Sequence, residues 1–305
     1  MKKSTLIPCL ILWACCGAAA ENRTPGAQDP ISGSLPHPKK GIGLTTSQQN
    51  RGRWKAQVEA LSVSWHYSWE TSLPEAEPPG VEFVPMLWGY WGPRQEFRRR
   101  MAELVGAPAA QRRHHLLGFN EPDNKQQAHM SVQQALEGWQ YLLQTGLRLG
   151  SPAAVHAHQA WLRKFMQHAK EEHLRVDFVC VHWYGAPNAE EFLRYLSKIH
   201  SIYGKPVWIT EFAVADWQAK SRHHNRYSPD SVLHFMQAIL PRLDALPFVE
   251  RYAWFSPDED DRALGPSALF TADGALTALG RYYASHPYAP PPANEAGVQQ
   301  TTTRG

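Results

Sequence analysis

His115-Leu116-Leu117-Gly118-Phe119-Asn120-Glu121-Pro122-Asp123 is a short apolar run that ends on an amide, an acid and a proline. Pro206-Val207-Trp208-Ile209-Thr210-Glu211-Phe212 repeats the pattern, again delivering a glutamate. Runs of this length, bounded by turn residues, read as buried strands. Counted along the chain they predict eight strands, at residues 40–44, 61–65, 82–87, 115–119, 150–155, 178–182, 207–211 and 251–255. Most intervals carry helical periodicity: 95–105, 131–147, 161–172, 189–202 and 229–243. Ser228-Pro229-Asp230 opens the last of these, with proline in the first turn, where its missing N–H costs nothing. Alternating strands and helices imply a parallel sheet with right-handed crossovers, and eight such units predict a closed (β/α)8 barrel. A doubly wound sheet fits less well, because Gly41-Ile42-Gly43-Leu44 lacks the third glycine and the helix opening of a phosphate loop.

The two ends of the 305-residue chain read differently. Residues 1–20 carry Lys2 and Lys3, an apolar run and Ala18-Ala19-Ala20, which predicts a signal peptide and export to the periplasm or the medium. Leu12-Trp13-Ala14-Cys15 loosely resembles a lipoprotein box, but the bulky Trp13 favours soluble export over anchoring at Cys15. Residues 21–38 predict a disordered leader and 289–305 a disordered tail, since neither has apolar periodicity. Residues 39–288 between them match the roughly 250 residues of one barrel. Three of the four cysteines fall in the signal, leaving Cys180 with no disulfide partner. Its setting, Phe178-Val179-Cys180-Val181, reads as a buried, inert thiol. A net charge of +3 gives no reason to expect nucleic acid. No stable membrane insertion is expected, and the protein is expected to be a monomer.

In such barrels chemistry gathers on the C-terminal rim, which Glu121, ending strand four, and Glu211, ending strand seven, are expected to share. Two carboxyls about 5–5.5 Å apart are what double displacement at a glycosidic bond requires: one protonates the leaving oxygen and the other attacks the sugar carbon. The bland alternative is a pair of strand-end glutamates in salt bridges. Trp69, Trp88, Trp183, Tyr184 and Trp254 converge on the same rim as candidate sugar contacts, with Trp88 and Trp254 expected to flank the scissile bond. Asn120 is placed to donate its amide to a sugar 2-hydroxyl, the competing role being a turn-maker before Glu-Pro. His182 and Tyr184 are two apart on one strand and share a face; His182 is expected to reach a substrate hydroxyl and Tyr184 to reach Glu211. Glu211 should be ionised. Glu121 should be protonated, its pKa raised by apolar walls such as Trp88 and by the charge of Glu211. His114-His115, His156 with His158, and His223-His224 show no zinc spacing, so no metal and no cofactor are expected.

Gly118-Phe119-Asn120-Glu121-Pro122-Asp123, Val181-His182-Trp183-Tyr184-Gly185, Trp208-Ile209-Thr210-Glu211-Phe212 and Tyr252-Ala253-Trp254-Phe255 together resemble glycoside hydrolase family 128. Val84-Pro85-Met86-Leu87-Trp88-Gly89 and Leu149-Gly150-Ser151-Pro152-Ala153 look like that family's third and fifth strand ends, and the resemblance spans residues 40–283. It implies a retaining clan A hydrolase of β-1,3-glucan, with Glu121 as acid/base, Glu211 as nucleophile and a glucan oligo- or polysaccharide as partner. An endo-acting enzyme is the expectation. One departure is Tyr67-Ser68-Trp69, where the family usually has Tyr-Asn-Trp; it puts the details of one sugar subsite in question. The alternatives are an exo-acting enzyme, a retaining hydrolase of another β-glycan, and a non-catalytic glucan-binding protein. Retention of both glutamates and Asn120 speaks against the last.

Overall fold

The computed structural model describes residues 37–46, 52–106 and 113–288. The expected signal with its three cysteines, the leader up to residue 36, and the tail lie outside the described residues. The strands are β1 (His37–Gly43), β2 (Val63–Tyr67), β3 (Glu82–Phe83), β4 (His115–Leu117), β5 (Arg148–Gly150), β6 (Val179–Gly185), β7 (Val207–Val214) and β8 (Val249–Phe255). They pair in parallel as β3-β2-β1-β8-β7-β6 and as β4-β5. Single parallel bridges, Met86 to Leu117 and Gly150 to Phe178, join these two ladders at both edges and complete a ring of eight. The fold is a (β/α)8 barrel. Its helices are α1 (Trp54–Ala60), α2 (Arg94–Gly106), α3 (Val132–Leu143), α4 (Ala160–Glu171), α5 (Ala189–Tyr203), α6 (Pro229–Ala245) and α7 (Ala278–Ser285). None of these described helices is long and apolar enough to cross a membrane.

Each expected strand has a counterpart, with edges moved for local reasons. β1 opens at His37, two residues inside the expected leader, because His37 is tied to Asp244. β2 starts at Val63 because Ser62 takes a left-handed backbone, φ 51°. β3 and β5 are cut short just before Pro85 and Pro152, whose rings remove a ladder N–H. Two helices escape the sequence reading. α1 is only seven residues long with no side-chain cap, and α7 is eight residues capped by Thr277. Both are too short to establish a period.

Strand alternation separates two apolar layers. Trp65, Tyr67, Val84, Met86, Leu117, Phe178, Cys180, Trp208 and Ala253 fill the barrel interior. Ile42, Val63, Val181, Ile209, Phe212, Tyr252 and Trp254 face the helices. Trp254 is thus directed away from the mouth: it is fully buried against Phe212 and Phe235, and its indole N–H donates to the Ser267 carbonyl. Cys180 is free and buried, its thiol pushed up by desolvation.

The floor of the barrel is closed by charge. Arg251 lies over the Trp208 ring at 4.5 Å and donates to Glu82, which also bonds His115 at 2.7 Å. Burial alone would raise the Glu82 carboxyl, but His115 and Arg251 pull it down to about 2. Beside this floor, the fully buried Asp244 accepts from His37, His286 and the Tyr252 hydroxyl. Lys39 donates to the carbonyls of Leu243, Asp244 and Leu246, and Lys40 to those of Tyr283, Ala284 and His286. The first strand is therefore stitched to the C-termini of α6, through Lys39, and α7, through Lys40, by buried ammonium groups.

His66 creates a pH liability. It is fully buried, stacked 5.3 Å from Trp54, and neither ring nitrogen has a partner among the described residues. Burial, with a smaller push from Arg113, lowers its pKa from 6.5 to about 4. The unfolded chain then binds the extra proton between those values, so stability present above pH 6.5 is lost as pH falls toward 4, by roughly 3 kcal/mol in all. Urea unfolding at pH 7 and pH 4 should show that loss shrinking by about that amount in His66→Phe. An unchanged pH slope would exclude His66 as its source.

Candidate active site

Glu211 does not end its strand. It lies mid-way along β7, where Thr210 and Glu211 together oppose Ala253 of β8, and Thr210 is skipped in the pairing with β6. This is a β-bulge, and it reverses the alternation. Val207 and Ile209 face the helices before it and Phe212 and Val214 after it. Glu211 is thereby turned inward, to the mouth, as bulges beside functional sites commonly do.

Three donors converge on the Glu211 carboxylate: the Tyr67 hydroxyl at 3.1 Å and the Trp69 indole N–H at 2.8 Å on Oε1, and the Tyr184 hydroxyl at 2.5 Å on Oε2. Burial first, and then the Glu211 charge, push both phenols well above their ordinary pKa, so they stay protonated and donating. Charge-assisted bonds of this kind are what a nearly buried carboxylate needs to remain charged.

Glu121 stands just beyond β4 with φ 41°, a strained backbone for a non-glycine residue and more so before a proline. Its N–H donates to the Ala153 carbonyl at 2.8 Å, and that of Asn120 to the Trp88 carbonyl at 2.9 Å, so neighbouring strand ends hold the conformation. Its carboxylate bonds the Asn124 amide at 3.0 Å and His182 Nδ1 at 3.1 Å; the same nitrogen lies 3.5 Å from Glu211. Burial pushes Glu121 up, but the imidazole and the Asn124 amide hold it below the usual carboxylate range. This corrects the expected raised pKa. His182 moves the other way: burial lowers it, and the two glutamates more than offset that. In the ligand-free site the imidazole thus lies between the two carboxyls, with its Nε2 buried and without a partner among the described residues.

Around this centre runs a cleft of about 1530 Å³, larger than a typical small-molecule pocket. Trp69, Trp88, Asn120, Tyr184 and His182 line it. Asn120 donates to Gln127 Oε1 at 3.2 Å and leaves its own Oδ1 buried without a partner. Turning both amides over preserves their mutual bond and presents the Asn120 NH2 to a ligand. Trp183 also lines the cleft, with its ring stacked on Phe192 and Phe235. Trp254 is absent from the lining, a correction that follows from its outward parity in β8. Ser68, at the departure from Tyr-Asn-Trp, has a buried hydroxyl without a partner among the described residues.

Sequence reasoning missed Asn124, Gln127 and Trp217. Trp217 lines the cleft 57% exposed, beyond β7 and edge-on to Tyr184. Only the polar loops around these residues hinted at them. Two groups of described residues bring histidine and carboxylate donors within 4.8 Å: Glu121-His182-Glu211 and His37-Asp244-His286. In the first, His182 Nδ1 is engaged by Glu121 at 3.1 Å and lies 3.5 Å from Glu211. In the second, His37 Nδ1 accepts the Lys40 N–H, which leaves Nε2 as the protonated nitrogen rather than a ligand.

The sequence profile of the glycosyl hydrolase catalytic core family matches residues 41–283. Alkali-sensitive linkage protein 1 of Schizosaccharomyces pombe is 34% identical over 181 residues, which are 56% of this chain and 32% of that longer protein. A family 128, subgroup I endo-β-1,3-glucanase from Amycolatopsis mediterranei, solved with laminarihexaose, is 31% identical; the match covers 82% of this chain and all of the other, with a TM-score of 0.66. A family 128, subgroup III curdlan-specific exo-β-1,3-glucanase from Blastomyces gilchristii is 28% identical over 83% of this chain and all of its own, with a TM-score of 0.64. Barrel, paired glutamates and matched span agree: this chain belongs to the glycosyl hydrolase catalytic core family and is a member of glycoside hydrolase family 128.

Proposed function

We propose that the protein is a retaining endo-β-1,3-glucanase that uses Glu211 as nucleophile and Glu121 as acid/base. The observation that carries this reading is the facing of the two glutamates in one cleft, with carboxylate oxygens within 4.8 Å of each other. That closeness of one oxygen from each carboxyl supports a retaining pair, whose carboxyls lie about 5–5.5 Å apart, over an inverting pair at about 6.5–9.5 Å. The relative bound to laminarihexaose supports β-1,3-glucan as substrate, and its endo action, with the size of the cleft, supports internal attack.

In the resting site His182 carries the proton between two carboxylates. As the glycosidic oxygen approaches, Glu121 takes that proton from His182 and passes it to the leaving group, while Glu211 attacks the anomeric carbon. The ester leaves Glu211 neutral, which removes the charge that favoured the imidazolium, so Glu121 and His182 now accept a proton from water. Water adds to the anomeric carbon, Glu211 leaves as carboxylate and His182 is protonated again. Asn120 at the sugar 2-hydroxyl would strengthen its bond as positive charge builds there.

Viscosity and product length on linear β-1,3-glucan test the reading together. Viscosity should fall early, with mixed oligosaccharides; a single short product from the start would replace endo by exo action. Glu211→Ala should lose on the order of 10³-fold or more in kcat and recover with azide, giving a glycosyl azide of inverted configuration. Glu121→Ala should lose about 10²–10⁴-fold but keep activity on substrates whose leaving group needs no proton. The reverse pattern would exchange the two roles.

The alkaline limb of kcat/KM should lie above the ordinary histidine range and move to lower pH in His182→Asn, because a carboxyl must then hold the proton alone. A limb that stays in place would remove His182 from the proton path.

Trp254→Ala should cost about 3–5 kcal/mol of stability and impair all substrates alike. Trp88→Ala, at a half-buried ring packed on both apolar layers, should lower the melting temperature less than Trp254→Ala and affect long laminari-oligosaccharides more than short ones. Melting curves beside kinetics at several chain lengths separate packing from sugar binding.

A further inference from the structure

A second cavity, of about 160 Å³, opens beside the cleft at the β2 and β3 ends. Trp69 and Trp88 are walls of both spaces, so it adjoins the cleft at the side where Trp69 bonds Glu211. Its rim adds Thr71, Trp91, Glu96 and Arg100. Trp91 is 49% exposed yet fixed: its indole N–H donates to the Ala128 carbonyl at 3.0 Å. Its ring lies so close over Gly89 that a β-carbon there would meet it at 2.3 Å. Glu96 bonds Arg99 and Arg100, and only Nε of Arg100 is engaged among the described residues.

We propose that this side pocket receives a single neutral hexosyl branch carried on the main chain of a β-1,3-glucan. The inference rests on the glucanase reading and adds the substrate's branching to it. Three features point to such an occupant. The volume of about 160 Å³ limits the occupant to one ring-sized unit and excludes a second sugar. Indole rings beside a carboxylate, a guanidinium and a hydroxyl line it with the mixture of apolar and polar groups that a pyranose also carries. Two carboxylates, Glu70 and Glu96, against one guanidinium at the rim disfavour an acidic sugar. Because Trp69 and Trp88 are walls common to the pocket and the cleft, the pocket lies within reach of a substituent on a chain bound in the cleft.

The test compares kcat/KM on a linear laminari-oligosaccharide and on the same backbone bearing one β-1,6-linked glucose, for wild type, Arg100→Ala and Thr71→Trp. The first variant removes the guanidinium and the second fills the pocket from a half-exposed loop position. Each should lower kcat/KM on the branched substrate about tenfold, the size of one lost charged hydrogen bond, mainly through KM. On the linear substrate each should stay within about twofold. Equal losses on both substrates would assign the pocket to the main chain and overturn the proposal, and so would no loss on either. Wild type that cleaves linear glucan without regard to the branch sinks the pocket alone, whereas wild type that cleaves neither substrate sinks the glucanase reading with it.

Discussion

One buried negative charge organises the mouth of this barrel. Glu211 is only 6% exposed and accepts from Tyr67, Trp69 and Tyr184, side chains delivered by the ends of β2 and β6. A carboxylate withdrawn from water to this extent is costly unless its oxygens are satisfied. The donors are therefore as constrained as the acid. Trp69 reaches it from a left-handed backbone, φ 61°, and Glu211 itself needs the bulge that turns it inward. The left-handed backbones of Trp69 and Glu121 carry strain of about 1–3 kcal/mol each. The strands beneath them, filled by Trp65, Trp208 and Phe178, supply the rigidity that holds the strain in place.

Histidine sets the charge balance above this frame. Two glutamates so close would ordinarily share one proton, with one of them raised strongly. Here His182 sits against both, and its cationic form relieves the repulsion. On the proposed mechanism this imidazole is the resting place of the proton used in the first step. The pH response of the centre belongs to the cluster of three groups rather than to any one residue.

The barrel and its two acids were legible because they rest on local signals. Apolar runs bounded by Pro, Gly and Asn mark strands, and Asn120-Glu121-Pro122 and Thr210-Glu211-Phe212 stand out within them. The error at Trp254 was avoidable: Tyr252-Ala253-Trp254 alternates, and the small Ala253 takes the crowded interior position. The bulge in β7 was not avoidable, since it is defined only by what β6 and β8 place opposite it. The same holds for the charge state of Glu121. That depends on an imidazole 61 residues away in sequence, whereas apolar walls and the other acid were all that the local reading could weigh.

The stitching of β1 bears on how the chain is made. Lys39 and Lys40 lie in the first strand, yet the carbonyls that satisfy their buried ammonium groups belong to residues 204 to 246 positions later. Synthesis at about 5–20 residues per second delivers those acceptors only some ten to fifty seconds after the lysines themselves. Until then, closing β1 into the barrel would bury two unpaired cations. The nascent strand is better left in water, and ring closure falls to the moment when the last helix emerges from the ribosome.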